Sequence, residues 1–147
     1  MADRILVIML GALLLICAIQ DLLKKRIYLW VICMGGITTV VCSVFVDNLG
    51  IMDRVGGLLV GLAIMLLSKI TAGGIGMGDG ILLCITGLGL GFWCNLELFG
   101  LALFLAAMIS IILLILRRVD RKQTIPFVPF LFAGYLILSI TSNGAFV

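Results

Sequence analysis

Six apolar stretches run along the chain, separated by short segments that hold nearly all of its charge. Residues 5–22 form the first, followed at once by Lys24-Lys25-Arg26. A secretory signal peptide carries its basic residues ahead of the apolar stretch and a small-residue cleavage site behind it, so this segment reads as a retained membrane helix. Residues 27–46 form a second span, interrupted by Gly35-Gly36 and anchored near its start by Tyr28 and Trp30 at the interface. Asp47-Asn48-Leu49-Gly50 is a turn. Residues 55–70 make a third span, whose Gly57-Leu58-Leu59-Val60-Gly61 allows a neighbouring backbone to approach closely. Residues 81–93 are short for a full crossing and carry Gly87, Gly89 and Gly91, so this segment is either tilted at a thinned region or partly re-entrant. Residues 98–116 form a fifth span. The sixth opens at Ile125-Pro126-Phe127-Val128-Pro129-Phe130 and runs to about Thr141. Pro126 suits a helix start, and Pro129 either shares that first turn or bends the entry. The pattern predicts an all-α integral membrane protein, a six-transmembrane-helix bundle forming one domain over residues 1–147.

Between the third and fourth spans lies Gly73-Gly74-Ile75-Gly76-Met77-Gly78-Asp79-Gly80, with five glycines and one carboxylate. Glycine loses the most backbone entropy on ordering, so the preceding helix stops here and Asp79 is expected on irregular backbone. Such backbone survives at membrane depth only when buried in protein or facing a water-filled cavity, and an acid there marks a candidate functional site. The plainer reading is a cytoplasmic turn with Asp79 as N-cap of the next helix.

Composition confirms the membrane class: 64% of residues are hydrophobic, 12% are charged and the mean hydropathy is +1.39. A net charge of +3, confined to a few loops, speaks to orientation and not to nucleic-acid binding. The chain has no histidine, which removes Ser-His-Asp and Cys-His catalysis and histidine metal sites. Cys17, Cys33, Cys42, Cys84 and Cys94 form no C-x-x-C pair and read as small buried hydrophobes. No metal and no cofactor is expected.

If loops alternate sides, one side holds Lys24, Lys25, Arg26, Lys69, Arg117, Arg118, Arg121 and Lys122, and the other holds Arg4 and Arg54. Eight against two places the first side in the cytoplasm and both termini outside. Asp47, Asp53 and Glu97 then fall outside, while Asp120 sits among four cations that neutralise it. Asp21 and Asp79 remain as cytoplasmic-side acids close to the apolar boundary. Asp21 lies where the helix dipole disfavours a carboxylate, and its plain reading is a surface ion pair with Lys24 or Lys25. Brought together in a partly dehydrated site, two carboxylates share a proton. The ionised member can activate a water while the protonated one polarises a carbonyl. Ser68 and Lys69 are adjacent and point apart on a helix, so they do not form a catalytic pair.

These residues resemble a known family. Gly76-Met77-Gly78-Asp79 is similar to the G-x-G-D motif of intramembrane aspartic proteases, and Asp79-Gly80-Ile81-Leu82-Leu83 resembles its type IV prepilin peptidase version. Asp21 with its following basic cluster and Ile27 resembles that family's first catalytic aspartate, and residues 125–130 resemble its last-helix signature. The resemblance implies a membrane aspartic endopeptidase of the inner membrane that removes the basic leader from type IV prepilin-like proteins at the cytoplasmic face. Asp21 and Asp79 would be its catalytic pair, with Gly76, Met77 and Gly78 shaping substrate access; the partners implied are the prepilin-like substrate and the lipid bilayer. Two positions depart from the family pattern: Gly80-Ile81 stands for Val-Lys, and Tyr28-Leu29 for Pro-Asn. The cysteine-bearing cytoplasmic region of bifunctional members is not seen, so a short form without product N-methylation is expected. A proton-coupled transporter would also use intramembrane acids, but internal repeats and a mid-membrane charge are not evident. A catalytically silent pilus-assembly scaffold of the same fold is the other alternative, and it would not need both aspartates.

Overall fold

The computed structural model describes residues 2–24, 28–44, 49–71, 76–116 and 126–141. Expectations for Lys25, Arg26, Asp47, Gly73, Gly74, the basic loop within 117–125 and Ile125 lie outside the described residues. Five helices follow in order: α1 Ala2–Lys24, α2 Leu29–Val44, α3 Ile51–Ile70, α4 Met77–Ile115 and α5 Val128–Thr141, with no strand among the described residues. Three of them, α1, α3 and α4, are long and apolar enough to cross a membrane.

The five described helices do not confirm the expected six spans, and the difference lies in α4, which is two helical limbs meeting at a kink. The fourth and fifth predicted spans are the two limbs of α4, and the four residues expected to separate them are helical. Only Gly91 leaves helical backbone, at φ 80° and ψ −178°, where the absence of a Cβ removes the penalty of positive φ. Residues 83 and 95 would stand about 18 Å apart along a straight helix. Asn95 Nδ2 nevertheless donates to the Leu83 carbonyl at 3.1 Å, so the chain bends sharply back at Gly91. Asn95 also donates to the Gly57 carbonyl at 3.2 Å and accepts from the Thr86 hydroxyl at 2.7 Å. Its amide therefore staples both limbs of α4 to α3. Cys94-Asn95-Leu96-Glu97 reads as a polar loop in sequence because a buried, satisfied asparagine looks no different from a solvated one.

Close packing of α3 on α4 follows from the glycines. A Cβ at Gly57 would fall on the Gly87 carbonyl oxygen, one at Gly87 on that of Gly57, and one at Gly61 on the backbone nitrogen of Cys84. The G-x-x-x-G expectation holds: small residues let the two backbones touch. On the other side, Leu6, Leu10, Leu13, Leu14, Cys17 and Ala18 form the buried stripe of α1 at helical spacing. That stripe meets α5, whose Tyr135 hydroxyl donates to the Val7 carbonyl at 2.6 Å. Outward, Ile8, Trp30, Met34 and Phe104 are exposed apolar side chains, the surface expected of helices that face hydrocarbon.

Candidate active site

Asp21 sits in the last turn of α1, where the partial negative charge of the helix end disfavours a carboxylate. The start of α5 compensates. The Val128 amide donates to Asp21 Oδ2 at 3.2 Å, and the Phe127 amide faces the same carboxylate. Asp21 thus lies at the negative end of one helix dipole and the positive end of another. The surface pair expected with Lys24 does not form, since Lys24 Nζ donates to the Tyr28 hydroxyl at 2.7 Å and lies 4.9 Å from the centre of its ring.

Asp79 enters from the first turn of α4. Two expectations are corrected here. Its backbone is regular helix, and the N-cap is Gly76, in extended conformation, and not Asp79 itself. Gly78 and Gly80 are carried inside that first turn because tertiary packing outweighs glycine's weak helix propensity. Gly80 is buried against α3, where a Cβ would stand 2.6 Å from Met65 Cγ and 3.1 Å from its backbone nitrogen. The valine usual at this position would not fit without moving α3, so the departure at Gly80 matches its packing. The departure at Tyr28 also has a local partner: its amide donates to Gln20 Oε1 at 3.3 Å, a bond that proline cannot make.

The carboxylate of Asp79 folds back over its own N-cap. A Cβ at Gly76 would come within 2.7 Å of Asp79 Oδ2, so the first glycine of the G-x-G-D run makes room for the acid itself. Beside the expected part of Gly76 in substrate approach, this closer role has no signal in the sequence. Met77 is half-exposed and Gly78 partly buried in the same turn. No donor among the described residues bonds the Asp79 carboxylate, in contrast to the amides on Asp21.

The two acids, far apart in sequence, come close enough for the charge of Asp21 to act on Asp79. Like charges in a partly buried setting disfavour double ionisation, so the arrangement can hold one proton between two carboxyl groups. Among the described residues no group of three or more acids, cysteines or histidines is placed to hold a metal ion. If Gly76 serves to seat Asp79, Gly76→Ala lowers any activity of the pair on the order of 10²-fold, the scale of a misplacement of about 1 Å. The check is turnover normalised to the membrane level of the variant, and full activity would show that the carboxylate works from another position.

Comparison with known proteins adds one positive finding. Residues 8–116, which include both aspartates and the glycine-rich stretch, match the type IV leader peptidase family. No curated protein matches the chain. No solved structure matches it either.

Proposed function

The chain belongs to the type IV leader peptidase family, and on that premise we propose that it is a membrane aspartic endopeptidase that cuts the basic leader from type IV prepilin-like proteins at the cytoplasmic face. The observation that carries this reading is the approach of Asp21 and Asp79 from two different helices. In the proposed reaction the ionised carboxylate takes a proton from a water molecule, whose oxygen attacks the scissile carbonyl carbon. The protonated carboxyl gives its proton to the carbonyl oxygen. Collapse of the tetrahedral intermediate breaks the C–N bond as the first carboxyl protonates the leaving nitrogen and the oxygen returns its proton to the second. Three apolar helices long enough to cross a bilayer agree with a substrate also held in the membrane.

Binding in this account is largely positional. The bilayer holds the substrate's apolar helix, and the bond just before it meets the acids at the interface. Co-expression with a protein carrying a short basic leader before an apolar helix is expected to yield the shortened product, with its new N-terminus at the leader junction. Replacing that apolar helix with a soluble polar segment is expected to abolish cleavage. Equal cleavage of both substrates would overturn the positional account.

A further inference from the structure

We propose that the entry turn of α5, residues 126–129, is the positioning element of the proposed catalytic pair, holding Asp21 through backbone amides so that Asp21 carries the negative charge and Asp79 carries the proton. The inference rests on the reading of Asp21 and Asp79 as that pair. It starts from an asymmetry: Asp21 accepts from the Val128 amide at 3.2 Å with the Phe127 amide facing it, whereas no donor among the described residues bonds Asp79. Hydrogen bonds donated to a carboxylate favour its charged form. The positive end of the α5 dipole acts in the same direction.

The local sequence leaves few other donors for this purpose. Pro126 and Pro129 have no N–H, and the Phe130 and Leu131 amides are used on the Phe127 carbonyl at 3.0 and 3.2 Å. The amides of Phe127 and Val128, between the two prolines, are the ones left free to face α1. Val128 is fully buried, which fixes the turn against the bundle, and Tyr135 ties α5 to α1 two turns further on. Other titratable groups that bear on this pair among the described residues reduce to Cys17, one turn earlier on α1. The family match ends at residue 116, so it does not include this turn.

In the proposed division of roles, Asp21 takes the proton from water and Asp79 protonates the substrate carbonyl. Removing the Val128 N–H while keeping the chain folded tests it. Val128→Pro removes that donor at a first helical position, which proline tolerates. Val128→Ala keeps the donor and removes side-chain packing. The expected result with a membrane-embedded prepilin-like substrate is a fall in kcat on the order of 10- to 100-fold for Val128→Pro with KM unchanged, the scale of one hydrogen bond to a charged group. The acidic limb of its kcat profile is expected to move to higher pH by about one unit, because the singly ionised pair has lost a donor. Val128→Ala keeps the N–H, so whatever its lost packing costs in kcat, the acidic limb of its profile is expected to stay at the wild-type pH. Should Val128→Pro fail to accumulate, an ester in place of the 127–128 amide, made with the α-hydroxy analogue of valine, removes the same N–H and keeps the side chain. An unshifted profile with near wild-type kcat in whichever of the two accumulates would overturn the positioning role. If that result accompanies inactive Asp21→Asn, the catalytic pair stands and only the positioning fails; activity in Asp21→Asn removes the pair itself.

Discussion

Asp79→Asn and Asp21→Asn are each expected to lower leader removal by about 10⁴-fold or more while the variant protein stays in the membrane at wild-type level, the scale seen when one member of a catalytic unit is lost. Asparagine keeps the size and shape of aspartate but cannot pass a proton between water, carbonyl and leaving nitrogen. The fold should tolerate both changes. Asp21→Asn retains a side-chain oxygen for the Val128 amide, and Asp79 has no donor among the described residues to lose. Glu97→Gln provides the contrast, since it removes an exposed acid of α4 on the far side of the Gly91 bend from Asp79. It is expected to leave cleavage unchanged. The measurement is the fraction of co-expressed substrate that loses its leader, with the enzyme level read from the same membranes.

The second large effect concerns the bundle. Gly61→Val is expected to lower the detergent-solubilised Tm by about 10 °C, consistent with overpacking of about 3 kcal/mol at this chain length. The cause is that its Cβ falls on the backbone of Cys84, which cannot rotate away, so α3 and α4 must separate. Their separation would also move Asp79, because Gly80 packs on Met65 in the same contact. At Gly35 the atoms nearest an added Cβ belong to the side chain of Leu13 and not to backbone, so Gly35→Val is expected to cost less. Gly100→Val meets nothing within 4 Å and is expected to leave the Tm within about 2 °C of wild type. A thermal scan of the three variants ranks them, and equal losses would show that the backbone contact between α3 and α4 does not govern stability.

Much of this arrangement can be read from residues alone, and the parts that cannot have a common cause. The buried stripe of α1 shows in the spacing of Leu6, Leu10, Leu14 and Cys17, and the α3 contact shows in Gly57 and Gly61, because periodicity and small size are local signals. How the fourth and fifth spans join is not legible in this way, and the reason lies at Asn95. Its polarity suggests a loop, yet its side chain turns inward to Gly57, Leu83 and Thr86, partners set by tertiary structure. Similarly, the glycine-rich stretch suggests irregular backbone as far as Gly80, but the α3 contact extends the helix back to Met77. The presence of Asp21 and Asp79 as candidate acids was legible from their scarcity and shared side. The amides that face Asp21 were not, because a backbone N–H looks the same at every residue and only the fold brings Val128 to α1.

The central claim is that Asp21 and Asp79 act as one unit on a leader peptide. Its most direct test is the residual cleavage rate of Asp21→Asn, Asp79→Asn and the double variant in one purified, membrane-reconstituted assay. Members of one catalytic unit are non-additive, so the account predicts that the double variant is no slower than the slower single one. Losses that multiply in the double variant would mean that the two acids act independently, and measurable wild-type-like turnover in either single variant would mean that the chemistry lies elsewhere.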